Sequence, residues 1–201
     1  MREYHKQLDK RMFDFHQFYW DMATKLPTGA VIAEVGVAEG ASAIFLAETL
    51  LNLKKTFTFY FIDNLAYGQD LQLRHLMKNV GNAGIGHLVE IIPLSSVEAA
   101  CRFPDNHFDF VFIDASHKTE ETKADILLWY EKTKSGGVLA GHDYNKGEGI
   151  EVHYAVNMMI PKFMRNSEGE GAVRALQVIQ TEQGHNVWKI RKQDNLKIQT
   201  H

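Results

Sequence analysis

Short apolar runs alternate with longer amphipathic segments along most of the chain. The runs are rich in β-branched and aromatic residues and nearly continuous in apolar character, which is typical of strands buried on both faces of a parallel sheet. The segments between them repeat apolar residues at every third or fourth position, as helices packed against a sheet do. Strands that alternate with helices in this way predict an α/β fold with a doubly wound sheet.

Seven strands and six helices follow from this pattern. The predicted strands are 30–35, 56–62, 88–93, 108–113, 138–141, 173–179 and 186–192. The predicted helices are 1–27, 41–53, 69–82, 97–101, 119–134 and 152–164, and Gly136-Gly137 is interpreted as the stop after the fifth. Because no helix fits between the last two strands, we expect them to pair as an antiparallel hairpin. The prediction is a single domain over 1–201. It comprises an N-terminal helix (1–27) and a Rossmann-like core (30–192), whose seven-stranded sheet is mostly parallel.

Composition and charge narrow the class of protein. Of the 201 residues, 45% are apolar and 23% are charged, which is an ordinary globular balance. The formal charge of −3 argues against a nucleic-acid partner, since such proteins usually carry a basic excess. The single cysteine, Cys101, excludes an internal disulfide and a multi-cysteine zinc site. With no signal-peptide core and no stretch of about 18 apolar residues, we expect a cytoplasmic protein without a membrane anchor.

Candidate site residues are sought just after each strand, because ligands of open α/β sheets bind outside the carboxyl ends of the strands. After the first strand, Gly36 permits a tight turn, Gly40 lets the next helix begin close to a ligand, and Ser42 adds a hydroxyl. The Gly-x-x-x-Gly spacing matches neither the dinucleotide fingerprint nor a P-loop. Asp63 ends the second strand, where an acid can accept two hydrogen bonds from ribose hydroxyls.

These residues belong to motifs that resemble those of the class I S-adenosylmethionine-dependent methyltransferases. The first motif of the catechol O-methyltransferase group is similar to Glu34-x-Gly36-x-x-x-Gly40-x-Ser42-Ala43. Small bacterial macrolide-sugar and rhamnosyl O-methyltransferases are similar in Asp114-x-x-His117 and in Gly136-Gly137-Val-Leu-Ala-Gly-His142-Asp143-Tyr144. With Asp63 and the terminal hairpin included, the resemblance covers residues 30–191, nearly the whole core.

The resemblance implies a binding site for S-adenosylmethionine. It places the Gly36 loop and Ser42 at the methionine end of the cofactor, and Glu34 near its ammonium group. Asp63 would accept the ribose hydroxyls. Further cofactor contacts are implied for Ser95, Ser96 and Asp114. The two serines, near the adenine, replace an acid that many methyltransferases carry there.

The same resemblance implies a divalent cation held by Asp114, His142 and Asp143, which would activate the acceptor hydroxyl. Because Mg²⁺ prefers oxygen ligands and His142 replaces the usual acid, Mn²⁺, Fe²⁺, Zn²⁺ or no metal at all are alternatives. Without a metal, the two acids would organise loops. His117 stands where the catechol group places a lysine base, and an imidazole can accept a hydroxyl proton at neutral pH. Lys118 and His142 are the competing bases.

The resulting hypothesis is an S-adenosylmethionine-dependent methyltransferase acting on a hydroxyl of a small molecule, with or without metal assistance. One alternative is a nicotinamide-dependent oxidoreductase, which would share the acid after the second strand. Another is a non-catalytic binding module on the same fold, and a third is a metal-dependent hydrolase suggested by His142-Asp143. Nucleic acid and membrane are not expected partners, and the apolar N-terminal helix could support a homodimer.

Overall fold

A computed structural model describes residues 1–8, 13–66, 68, 70–147, 150–163, 176–181 and 184–193. Its strands are β1 (Ala30–Val35), β2 (Phe57–Ile62), β3 (Val89–Ile92), β4 (Phe108–Ile113), β5 (Thr133–Gly141), β6 (Gln177–Gln180) and β7 (Asn186–Arg191). Its α-helices are α1 (His16–Lys25), α2 (Ala41–Asn52), α3 (Asp70–Ala83), α4 (Ser96–Ala100), α5 (Thr119–Lys132) and α6 (Ile150–Phe163). A short 3₁₀ helix, Tyr4–Gln7, precedes them.

The seven strands lie in one sheet in the order β3-β2-β1-β4-β5-β7-β6. β1 to β5 pair in parallel, whereas β7 runs antiparallel to β5, and β6 runs antiparallel to β7. This order confirms the predicted doubly wound, mostly parallel α/β sheet with a C-terminal antiparallel hairpin. The predicted sixth strand includes 173–175, which lie outside the described residues, and β6 begins at Gln177.

An apolar core lies on each face of the sheet. On one face, α1, α2 and α3 pack over alternate residues of β1, β2 and β4, including Ile32, Phe59, Phe61, Phe110 and Phe112. On the other, α4, α5 and α6 pack over Val35, Val111, Ile113, Leu139 and Trp188. Burial on both faces explains why the strands read as nearly continuous apolar runs. Among the described residues, none of the helices has the length and apolar character that crossing a bilayer requires.

The prediction of one continuous helix over 1–27 is wrong. Residues 13–15, between the 3₁₀ helix and α1, are not helical. Phe13, Asp14 and Phe15 are nevertheless all buried. The apolar spacing at helical period predicts the burial of Phe15 but not that of Phe13 and Asp14. Contacts with distant parts of the chain bury this segment, not the packing of one side of a helix.

The interpretation of Gly136-Gly137 as a helix stop is also wrong. α5 ends at Lys132, and both glycines lie inside β5, whose register with β4 shifts between Phe108 and Phe110. Gly136 has a φ of +75°, and a Cβ on Gly137 would lie 2.8 Å from the carbonyl oxygen of Lys134. The pair therefore accommodates an irregularity in the strand, a role for which glycine is suited.

Candidate active site

The candidate site lies at the carboxyl ends of β1 and β4, which are neighbours at the centre of the sheet. The chain leaves β1 towards β2 and β3 and returns to β4 on the other side, so a crevice opens between the loops that follow these two strands. Gly36 follows β1 with a φ of +92°, and a Cβ at this position would collide with the carbonyl oxygen of Asp114, which follows β4. The first glycine of the motif thus lets the two loops touch.

The loop from Gly36 to Gly40 leads into α2 with an open helix end. Gly40, with a φ of +88°, is the N-terminal cap of α2, and no side chain caps the helix there. Backbone N–H groups in the first turn of a helix lack intrahelical acceptors and attract anions. The start of α2 is therefore suited to a carboxylate such as that of a methionine moiety.

Asp63 links this loop to the end of β2. Its Oδ2 atom accepts a hydrogen bond from the backbone N–H of Ala38 (2.8 Å), and its Oδ1 atom accepts bonds from Leu65 N–H (2.7 Å) and Gln72 Nε2 (3.2 Å). Gln72 is 5% exposed, and its Oε1 atom is buried with no hydrogen-bond partner among the described residues. A buried acceptor without a donor is costly, so this end of Gln72 carries an unmet hydrogen-bonding capacity next to Asp63.

Glu34 lies beneath the loop, fully buried on the α1 side of the sheet. Its carboxyl group accepts a hydrogen bond from the hydroxyl of Tyr19 (2.7 Å) and another from the hydroxyl of Ser42. Burial raises the pKa of Glu34 to about 8, against the opposing effect of these two hydrogen bonds. The structure brings Glu34 and Ser42 into contact, and the Glu34 carboxyl group faces Ser42 and Tyr19.

Ser95 and Ser96 both stabilise α4. The hydroxyl of Ser95 caps the helix, accepting from Glu98 N–H (3.3 Å) and donating to the Glu98 carboxylate (2.6 Å). The hydroxyl of Ser96 accepts a hydrogen bond from the indole N–H of Trp129 (2.8 Å) and also bonds to the carboxyl group of Asp125. The structure therefore gives both serine hydroxyls partners within the protein.

The four predicted metal and base residues converge after β4 and β5. His117 Nε2 lies 2.9 Å from Asp143 Oδ2 and 4.0 Å from Asp114 Oδ1. His142 Nδ1 lies 3.4 Å from Asp143 Oδ2 and 3.7 Å from Asp114 Oδ1. They line an open hollow whose apolar wall includes Val152 and Trp188. The arrangement can hold a cation between two carboxylates, or pass a proton to an imidazole that a carboxylate supports.

The electrostatics of this cluster follow from close, oppositely charged groups. Burial raises the pKa of Asp114 to about 6. Burial alone would lower the pKa of His142, but the hydrogen bond to Asp143 and the charge of Asp114 outweigh it and raise that pKa to about 9. The hydrogen bond to Asp143 also raises the pKa of His117. In return, the two imidazoles hold the pKa of Asp143 well below its usual range, against its burial.

A fifth group, on the far side of His142, escaped sequence reasoning. Asp14, which is 3% exposed, places its Oδ1 atom 2.9 Å from His142 Nε2. Its Oδ2 atom accepts a hydrogen bond from the hydroxyl of Thr181 (2.5 Å) and lies 3.4 Å from His185 Nδ1. The one sequence signal for Asp14 is its position between two large apolar residues, Phe13 and Phe15. The prediction of a helix over 1–27 gave this acid no special place. Tyr19 was likewise assigned only to an apolar stripe, and Gln72 carried no signal.

Comparison with known proteins finds a family model and several solved structures that resemble this chain. A family model described as a methyltransferase domain matches residues 33–144, more than half of the chain. Among solved structures, the cofactor-bound Rv0187 protein from MTB shares 17% identity and a TM-score of 0.65, covering 93% of this chain and 82% of that one. An O-methyltransferase from Bacillus cereus in complex with SAH shares 15% identity and a TM-score of 0.63, covering 92% and 82%.

An rRNA methylase from Streptococcus thermophilus is also similar, with 14% identity, a TM-score of 0.62, and coverage of 90% of this chain and 98% of that one. At such identities these likenesses concern the fold, which serves acceptors of quite different kinds. No curated protein matches the chain in sequence.

Proposed function

The chain belongs to the methyltransferase family whose domain model it matches, and from that premise we propose that it methylates a hydroxyl oxygen of a small molecule. It is an S-adenosylmethionine-dependent methyltransferase, so the family membership favours methyl transfer over the nicotinamide and hydrolase alternatives. The observation that carries the finer proposal is the contact between Gly36 and Asp114. This contact supports placing the predicted cofactor loop beside the imidazoles and carboxylates that follow β4 and β5.

The residues that follow β1 and β2 fit the cofactor. When bound, S-adenosylmethionine supplies a sulfonium methyl group that transfers without covalent help from the protein. The uncapped start of α2 suits its carboxylate, and Asp63 suits its ribose hydroxyls. The unpartnered Oε1 atom of Gln72, on the residue that orients Asp63, provides an additional acceptor in the same place.

His117 is our choice for the residue that accepts the proton of the acceptor hydroxyl. Its side chain is 59% exposed, so a substrate can reach it, and Asp143 lies 2.9 Å from its Nε2 atom. The carboxylate stabilises the imidazolium that forms when the proton arrives. His142 is less suited to this role, because it is 10% exposed and both its ring nitrogens already face carboxylates.

We also propose that a divalent cation can bind beside the acceptor. The residues that would hold it are Asp114, His142 and Asp143, whose donor atoms lie within 4.8 Å of one another. Two carboxylates and one imidazole fit Mn²⁺ or Fe²⁺ better than Mg²⁺, which prefers oxygen ligands. Such a cation would lower the pKa of a bound hydroxyl and orient it towards the methyl group.

A small molecule is the acceptor that the charge of the chain supports best. The formal charge of −3 argues against an RNA acceptor, which usually calls for a basic surface.

A homodimer through the N-terminal region stays a prediction. Trp20 on α1 is 45% exposed and is the apolar residue there that a partner could cover. Sedimentation at micromolar concentration would decide this, since a monomer would contradict it.

Calorimetric titration tests the proposed cofactor first. The protein is titrated with S-adenosylmethionine and S-adenosylhomocysteine, once in chelator and once with Mg²⁺ or Mn²⁺, alongside Asp63→Ala. We expect micromolar binding that Asp63→Ala abolishes, while Asp70→Ala, on the exposed first turn of α3, leaves it unchanged. No binding by a folded protein would instead favour the binding-module alternative.

A methylation screen of hydroxyl-bearing small molecules and of RNA then tests the acceptor. Activity on RNA alone would overturn the small-molecule proposal.

A further inference from the structure

Three potential metal ligands converge on the side of His142 that faces away from Asp114. They are Asp14, which precedes α1, His142 after β5, and His185, which precedes β7. His142 Nε2 lies 2.9 Å from Asp14 Oδ1, and His185 Nδ1 lies 3.4 Å from Asp14 Oδ2. These are separate from the atoms assigned above to the cofactor side, where His142 presents Nδ1.

We propose that Asp14, His142 and His185 form a second cation site, which binds a transition metal of the Zn²⁺ type. Two imidazoles and one carboxylate are the ligands that Zn²⁺, Co²⁺ and Fe²⁺ accept, whereas Mg²⁺ prefers an all-oxygen shell. This site therefore differs in chemistry from a cation held by Asp114 and Asp143.

The spacing of the donor atoms supports this assignment. Bonds of about 2.0–2.1 Å in a tetrahedral shell place neighbouring ligand atoms about 3.3 Å apart. His142 Nε2 and His185 Nδ1 lie 2.9 and 3.4 Å from different oxygens of the Asp14 carboxylate, and one donor atom from each residue lies within 4.8 Å of the other two. Small rotations of these side chains therefore bring one donor atom of each to a shared metal. His185 is 49% exposed, which leaves an approach from solvent.

The groups around the ligands are those that support a metal centre. A metal-bound histidine usually donates its other ring N–H to a carboxylate, which fixes the orientation of the ring. His142 Nδ1 lies 3.4 Å from Asp143 Oδ2, so a ring bound through Nε2 has this partner in place. Thr181 donates a hydrogen bond to Asp14 Oδ2 and thereby orients the carboxylate. Among the described residues, both ion-pair partners of the buried Asp14 are imidazoles.

A metal at this site would join three distant parts of the chain. The segment before α1, the residue after β5 and the residue before β7 would share one ion, which binds the folded state in preference to the unfolded chain and thereby stabilises the fold. The metal would also change the role of His142 on the cofactor side, where its Nδ1 atom would donate a hydrogen bond and no longer bind a cation. Asp114 and Asp143 would then provide oxygen ligands there, the kind that Mg²⁺ prefers.

Metal titration of the chelator-treated 201-residue protein tests this proposal. Co²⁺ is added while its visible absorption is recorded, and Zn²⁺ then competes for the site while the Tm is measured. We expect one Co²⁺ per chain with the intense absorption of a tetrahedral complex, displacement by Zn²⁺, and a Tm that rises with Zn²⁺ concentration. His185→Gln should weaken binding at least tenfold and abolish the Tm shift, and its half-exposed position keeps the fold intact. Asp14→Asn should have the same effect.

The comparison variant is Asp114→Asn, which removes a ligand of the cofactor-side set and lies 3.7 Å from His142 Nδ1, so it should weaken Zn²⁺ binding less than His185→Gln does. Equal affinity in the wild type and His185→Gln, or no Co²⁺ and Zn²⁺ binding at micromolar concentration, would overturn the proposal. Loss of binding in Asp114→Asn but not in His185→Gln would also overturn it, because the ion would then occupy the cofactor-side set. S-adenosylhomocysteine binding is measured separately and should be unchanged in His185→Gln. Failure of the metal site can therefore be distinguished from failure of the proposed methylation.

Discussion

The carbonyl oxygen of Asp114 occupies the space that a side chain on Gly36 would fill. This contact couples the loop after β1, where we place the cofactor, to the loop after β4, which begins the proposed acceptor side. Neither loop can move away without changing the other.

Gly36→Ala is therefore expected to destabilise the protein by about 3 kcal/mol or more, since it combines an overlap with backbone atoms and an unfavourable positive φ. Thermal and denaturant unfolding measure this. Gly81→Ala is the opposite control, because Gly81 lies within α3 with no atom near its Cβ position, and alanine there should stabilise by about 0.5–1 kcal/mol. A Gly36→Ala protein as stable as the wild type would show that the loops are not coupled in this way.

Gln72→Met is expected to weaken S-adenosylhomocysteine binding about five- to tenfold. It removes the amide that orients Asp63 and the unpartnered Oε1 atom, at a cost near that of one hydrogen bond. Calorimetry measures the affinity, and Gln17→Met, at an exposed position on α1, serves as the control. Unchanged affinity in Gln72→Met would mean that the ligand does not use this end of Asp63.

Glu34 should make the stability of the protein depend on pH. Its pKa is raised to about 8 in the folded protein from about 4.5 when exposed, so the folded state binds the extra proton. The stabilisation is complete below about pH 4.5 and declines as pH rises through 8, with a slope of at most about 1.4 kcal/mol per pH unit. Glu34→Gln should make the slope between pH 5 and 8 shallower, whereas Glu120→Gln, on the exposed face of α5, should leave it as in the wild type. Denaturant unfolding across that range decides, and identical slopes in wild type and Glu34→Gln would contradict the assignment.

His117 should titrate above 6.5, because the hydrogen bond to Asp143 raises its pKa. Two-dimensional NMR of the imidazole protons measures this without any acceptor. Asp143→Asn should bring the pKa of His117 back down, and the proton-accepting form would then prevail at a lower pH. An unchanged titration in Asp143→Asn would show that this carboxylate does not support the imidazole in solution.

Turnover should separate the two candidate bases once an acceptor has been found. His117→Ala is expected to lower kcat by about 10²–10⁴-fold, the usual contribution of a general base. His142→Ala should have a smaller effect, and His87→Ala, an exposed histidine remote from the cluster along the sheet, should have none. Full activity in both His117→Ala and His142→Ala would reject imidazole base catalysis altogether.

Local patterns were enough to predict most of the elements and part of the site. β1, β2 and β4 carry continuous apolar runs with an acid or glycine at the carboxyl end, and their order alternates with helices. Because a doubly wound sheet brings the carboxyl ends of its parallel strands to one edge, the sequence predicts Asp63, Asp114 and His142 at the same edge. The boundary errors at 1–27 and at Gly136 arose where burial or strand irregularity imitated a local helix signal.

The remaining features depend on the tertiary structure because they join residues with no local relation. Asp14 and His142 are separated by 128 positions, and nothing in the period of either segment indicates that they meet. The hydrogen bond from Tyr19 to Glu34 likewise depends on tertiary packing, because the spacing of Tyr19 among apolar residues indicates only that it is buried. The sequence alone determined which residues can accept protons, bind a cofactor or ligate a metal, since these are properties of side chains. Only the fold decided which of these side chains lie within a few ångströms of one another, because that depends on how distant segments pack.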